Sequence, residues 1–152
     1  MKLIIGNDHA GVNLKQAIVA HLTELGHEVT DIGIAAGEKA DYPDVAEKLA
    51  LQVADKTYEL GILVCGTGIG MSMAANRISG VRAAATSSAF GAKFTRAHNN
   101  ANVLCLGERI LGEGEALQLV DLFITTPFDV ENPRHQNRIE KIDAIDKKYK
   151  GE

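Results

Sequence analysis

The chain has 152 residues, 45% hydrophobic and 24% charged, a balance typical of a soluble globular protein long enough to bury a full core unaided. Its formal net charge of -4 argues against general attraction to nucleic acid or to anionic membrane, so an anionic ligand needs a local cluster of donors. Cys65 and Cys105 are too few and too far apart for a disulfide framework or a cysteine-rich zinc site. No basic-then-apolar leader precedes polar Gly6-Asn7-Asp8-His9, and no apolar run nears the roughly 20 residues of a membrane span. A cytoplasmic, reduced setting with free thiols is therefore expected.

Short β-rich runs alternate with helical periodicity along the chain. Lys2–Ile5 reads as a buried strand, after which Leu14, Ile18, Leu22 and Leu25 fall on one helical face, stopped by Gly26. His27–Ile32 is the second strand, and Val45, Leu49 and Val53 repeat at helical spacing after Pro43. Leu60–Val64 is the third strand and Val81–Ala85 the fourth. Ser87 or Ser88 caps a helix running to about Ala97; Val103–Leu106 is the fifth strand, and Ala116–Ile124 a helix ended near Pro127. Strands alternating with helices predict right-handed crossovers and a five-stranded parallel sheet covered on both faces, one three-layer α/β domain.

A further helical extension is expected over about 131–150, where Ile139, Ile142, Ile145 and Tyr149 form a narrow apolar stripe among lysines and acids. Such a stripe either closes its own domain or docks on a second subunit.

The chemistry concentrates where Cys65 meets Gly66-Thr67-Gly68-Ile69-Gly70, between the third strand and a helix. In open α/β sheets, ligands bind beyond the carboxyl ends of the strands, and clustered backbone N–H groups at such a turn can face an anion. A dinucleotide fingerprint needs a third glycine where Met71 stands, and an acid near the end of the next strand, where Ala84-Ala85-Thr86 stands. A P-loop lacks its lysine, and a cysteine phosphatase would need arginine at position 71.

The bland alternative is a tight turn beside a small buried thiol. The sharper one is a base next to an oxyanion hole, since helix N-termini and cations can bring a cysteine from about 8.5 to about 3.5–7.5. Cys105 lies within strand-like Val103-Leu104-Cys105-Leu106 and reads as core.

Asp8 and His9 follow the first strand and so line the same edge as Cys65, although Asp8 could equally cap the next helix. His98 ends a helix and precedes a strand, which puts it at the opposite edge. It is either a helix C-cap or a contributor to another subunit's site. Arg134 and Arg138 share a helix face at i, i+4; they are a solvated pair or, as paired guanidinium groups, a phosphate clamp.

Together Gly6-Asn7-Asp8-His9-Ala10-Gly11, Asp41-Tyr42-Pro43, Cys65–Gly70, Ala74-Ala75-Asn76-Arg77, His98-Asn99, Asn102-Val103, Gly107-Glu108-Arg109 and Arg134-His135-Gln136-Asn137-Arg138 resemble the type B ribose-5-phosphate isomerases, whose family also includes the galactose-6-phosphate isomerase subunits. The resemblance runs over nearly the whole chain in family order. It implies a Rossmann-like homodimer with shared active sites, a tetramer also being compatible, that interconverts aldose and ketose phosphates without metal or organic cofactor.

Carried over, Cys65 moves a proton between C2 and C1 through a cis-enediolate, and the amides of Gly66, Thr67, Gly68, Ile69 and Gly70 stabilise the oxyanion. Thr67 and His98 assist ring opening with Asp8 nearby. His9, Arg134 and Arg138 hold the phosphate, helped by Arg109, while Asn99 and Tyr42 contact sugar hydroxyls or shape the pocket. One branch of the family carries a glutamate base at the helix start instead of the cysteine; Met71 there aligns this chain with the cysteine branch. Rival readings are the same chemistry on allose 6-phosphate or galactose 6-phosphate, or a non-catalytic phosphosugar-binding module.

Overall fold

The computed structural model describes residues 1–151, in which five strands each precede a helix and a sixth helix follows the fifth. The strands are β1 (Lys2–Asn7), β2 (Glu28–Asp31), β3 (Leu60–Cys65), β4 (Ala83–Ala85) and β5 (Val103–Gly107). The helices are α1 (Val12–Glu24), α2 (Tyr42–Ala54), α3 (Ile69–Ala75), α4 (Ala89–Ala97), α5 (Glu113–Thr125) and α6 (Pro133–Lys150). All strand pairs are parallel, in the order β2-β1-β3-β5-β4. This is the expected parallel α/β sheet of Rossmann-like type.

The continuous apolar runs of the central strands follow from burial on both faces, with successive side chains alternating sides. Leu3 and Ile5, Ile62 and Val64, Leu104 and Leu106 enter one core with Leu14, Ile18 and Leu22 of α1, Ala92 of α4 and Leu119 and Phe123 of α5. Ile4, Leu63, Cys65, Val103 and Cys105 enter the other, with Val45 and Leu49 of α2 and Met71 of α3.

Several ends differ from the sequence expectation. β1 runs on to Asn7 because its ladder with β3 continues to the Asn7–Val64 pair. β4 starts at Ala83 rather than Val81: Val81 donates its N–H to the Ile78 carbonyl in a turn. Leu25 is the C-cap of α1 and is 55% exposed, outside the core its periodicity assigned it to. Ser88, not Ser87, caps α4, accepting the Gly91 N–H at 3.0 Å.

α6 begins at Pro133, where Asn132 caps the Arg134 N–H. Of its apolar stripe Ile139 is buried, whereas Ile142, Ile145 and Tyr149 are 48, 60 and 75% exposed. No helix among the described residues is long and apolar enough to cross a membrane.

Candidate active site

The strand order places a crevice between the carboxyl ends of β1 and β3. These neighbours feed helices on opposite faces, α1 on one and α3 on the other, so the chain diverges there and leaves an opening. The loops at this opening are Asp8–Gly11 and Gly66–Gly68. The Asp8 N–H donates to the Val64 carbonyl at 3.2 Å, which sets the acid beside the end of the cysteine's strand.

Asp8 is buried, and its Oδ1 accepts the Ala10 N–H at 2.9 Å in a local turn. It does not cap α1, whose N-cap, Gly11, has no side-chain partner. His9 is exposed next to it.

Cys65 is the last residue of β3 and is 5% exposed. Its Sγ accepts the Gly68 N–H at 3.1 Å, so a backbone donor already faces the sulfur. That contact needs the left-handed backbone of Gly68, φ 78°, where an added Cβ would also lie 2.9 Å from the Cys105 carbonyl oxygen. The Thr67 hydroxyl accepts the Ile69 N–H at 3.2 Å, and Thr67 and Ile69 are both exposed.

The β5–α5 turn braces the glycine loop. Glu108 donates its N–H to the Cys65 carbonyl at 2.9 Å and Arg109 to that of Gly66 at 3.1 Å. A Cβ on Gly66 would meet the Arg109 guanidinium at 3.3 Å, and one on Gly70 would meet the Tyr42 ring at 2.7 Å. Arg109 and Tyr42 thus lie against the two ends of the loop. Asp8, His9, Tyr42 and the adjoining Ala40–Asp44 segment line an open cavity of about 390 Å³.

His98, Asn99, Arg134 and Arg138 lie elsewhere. His98 is the C-cap of α4 and leads into β5, whose other end, Gly107, pairs with Cys65. The five residues of β5 span about 16 Å, far beyond the roughly 3 Å of a direct proton transfer. At this amino edge the His98 ring stacks on His135 of α6 with centroids 4.2 Å apart and planes 15° apart. Arg134 and Arg138 flank His135 on the same helix and are exposed, as are His98 and Asn99. The predicted residues therefore form two clusters at opposite edges of the sheet: Asp8, His9, Tyr42, the Cys65–Gly70 loop and Arg109 at one, His98, Asn99, Arg134 and Arg138 at the other.

Sequence reasoning gave no role to several supporting residues. Fully buried Asn7 donates to the Asp8 carbonyl at 2.8 Å and accepts the Ile34 N–H at 3.0 Å, tying the β2–α2 loop to the crevice. Glu108 accepts the Leu14 N–H at 2.5 Å, joining the first turn of α1 to the brace. His135 is buried, with Asp129 3.6 Å from its Nε2. A polar residue at the end of an apolar strand was the available signal for Asn7; the other contacts are long-range.

Cys105 is inert by environment: burial, then the neighbouring Cys65, pushes its thiol far up. Cys105→Ala is expected to keep turnover within about twofold of native. It should lower unfolding free energy by about 1 kcal/mol, the loss of one buried atom, as read from denaturant titration.

Residues 3–142 match the family model described as Ribose/Galactose Isomerase. The ribose-5-phosphate isomerase B of Escherichia coli (strain K12) is 44% identical over 147 residues, covering 97% of each chain. The solved structure of Clostridium thermocellum ribose-5-phosphate isomerase B matches with a TM-score of 0.94 at 44% identity, covering 98% of this chain and 99% of that one. That of the Mycoplasma genitalium ribose-5-phosphate isomerase B, with bound ribulose-5-phosphate, matches at 0.90 and 41% identity, covering 96% of each.

Proposed function

The chain belongs to the ribose/galactose isomerase family, and from that premise we infer that it interconverts ribose 5-phosphate and ribulose 5-phosphate. The observation that carries the reading is the thiol of Cys65, set at the mouth of the β1–β3 crevice with the Gly68 amide on its sulfur and Asp8 just past the end of the neighbouring strand.

Cys65, as thiolate, takes the proton from C2 of the open-chain aldose and returns it to C1, while the hydroxyl proton passes from O2 to O1. No electron leaves the substrate, so the step needs no redox partner. The cis-enediolate formed between the two transfers is stabilised by N–H groups of the Gly66–Gly70 turn. Thr67, His98 and Asp8 open the furanose ring by handling its hydroxyl and ring-oxygen protons. His9, Arg134 and Arg138 bind the phosphate with help from Arg109, and Tyr42 and Asn99 shape the space for the sugar.

This division of roles calls for two chains. The base and the ring-opening imidazole cannot meet within one chain when β5 separates them. A homodimer in which the amino edge of one subunit faces the crevice of the other brings them together, and a tetramer of such dimers would do the same. The uncovered Ile142, Ile145 and Tyr149 of α6 support a docked second copy. Cys65 must stay a free thiol, which fits a reducing cytoplasm, and residues 1–152 act as one isomerase domain whose helical extension over about 131–150 docks on the partner.

The test is direct. Formation of ribulose 5-phosphate from ribose 5-phosphate is followed beside allose 6-phosphate and galactose 6-phosphate at equal concentrations. The five-carbon substrate is expected to turn over fastest. Faster six-carbon turnover would move the specificity, and binding without any turnover would favour the non-catalytic module.

A further inference from the structure

The short loop after α4 carries His98 and Asn99 outward and then dives into β5. Two arginines converge on its next residue. Arg96 Nη1 donates to Asn100 Oδ1 at 3.1 Å and to the Ala101 carbonyl at 2.6 Å, and Arg82 Nε donates to the Asn100 carbonyl at 2.9 Å. Asn100 itself is left-handed, φ 46°, one of two non-glycine residues with positive φ among those described.

Around it the frame is closed. Asn102 Oδ1 accepts the Arg82 N–H at 2.8 Å and its Nδ2 donates to the Gly80 carbonyl at 2.9 Å. The Arg96 guanidinium carbon lies 5.6 Å over the ring of fully buried Phe123.

This arrangement is costly as a device for stability alone. Burial first, and the nearby Arg82 second, disfavour the charged form of Arg96. Its Nε is buried with no hydrogen-bond partner, and among the described residues it makes no ion pair. Among the described residues Arg82 pairs only with Asp143, at 3.9 Å. Guanidinium groups drawn partly out of water, as both of these half-buried arginines are, are usually offset by carboxylates. Here their donors go to the amide and carbonyls of one loop, and what they hold is its direction.

We propose that Arg96, with Arg82, is a positioning residue that clamps Asn100 and so aims His98 and Asn99 at the substrate. The inference rests on the role given to His98 above. Displacing a reacting group by about 1 Å can cost on the order of 100-fold in rate, so partial loosening should be well within measurement.

Turnover is measured for Arg96→Met, His98→Asn and the double variant, with oligomeric state and melting temperature followed alongside. Arg96→Met is expected to lower kcat about tenfold with KM for ribose 5-phosphate within about twofold, because the phosphate contacts are untouched. In the His98→Asn background the same change should cost less than about twofold, since the reacting group it positions is gone and only the sugar contact of Asn99 is left to misplace. Asn100→Gly keeps the left-handed backbone but removes the Oδ1 acceptor, and should lower kcat a few-fold even if Arg96→Met folds poorly.

Unchanged kcat in both Arg96→Met and Asn100→Gly would overturn the proposal. So would independent, multiplying losses for Arg96 and His98, with the His98 role intact. Full activity of His98→Asn would instead overturn that role, and this inference with it.

Discussion

Cys65→Ala is expected to reduce turnover of ribose 5-phosphate by about a thousandfold, within the roughly 10²–10⁴ that a positioned base contributes. Its fold should survive. The side chain is small, Gly68 keeps its left-handed turn without the sulfur, and Glu108 and Arg109 still brace the loop through backbone bonds. Substrate binding should survive as well, because the phosphate-binding groups proposed here are His9, Arg134 and Arg138. The signature is therefore a collapse of kcat with KM little changed.

Exchange of substrate hydrogen with deuterated water sharpens the test. Native protein should wash deuterium into the C1 and C2 positions, and Cys65→Ala should not. Undiminished turnover or exchange in the variant would mean that another group takes the proton.

The second large effect concerns two inactive chains that restore each other. His98→Asn and Cys65→Ala, each nearly inactive alone, should regain about a quarter of native activity when refolded together in equal amounts. The figure follows from the two-edged site. Random pairing makes about half the dimers mixed. In each mixed dimer, one site draws an intact Cys65 edge from one chain and an intact His98 edge from the other, while the second site carries both changes. If every chain built its own complete site, no pairing could create a native one, and the mixture would be as inactive as its parents. The experiment thus reads the architecture separately from the chemistry.

The sheet was largely legible because its central strands are buried on both faces. Beyond exposed Lys2, residues 3–5, 60–64 and 103–106 each read as an apolar run with no polar face, as parallel strands under helices must. The ends were harder. β1 carries Asn7, a polar residue that no strand pattern favours, because its amide is satisfied by a loop far along the chain. Leu25 fits the periodicity of α1, yet it sits where the helix has already ended.

At the site, the turn after β3 was legible because chain order alone puts a strand's carboxyl end, a cysteine and three glycines together. His98 could be assigned an edge for the same reason, since a residue between a helix and the next strand must lie where that strand begins. Local order and periodicity thus determined the fold class, the crevice residues and the edge on which each catalytic candidate lies.

The tertiary structure decided which segments at one edge become neighbours. Pairing of β1 with β3 sets Asp8 beside the cysteine's strand. The path of α6 stacks His135 on His98 and so gathers Arg134 and Arg138 with that imidazole. Arg82 and Arg96, unremarkable in the chain, meet on one carbonyl and one amide of Asn100. These contacts depend on strand order and helix packing, which bring together segments that no local period relates.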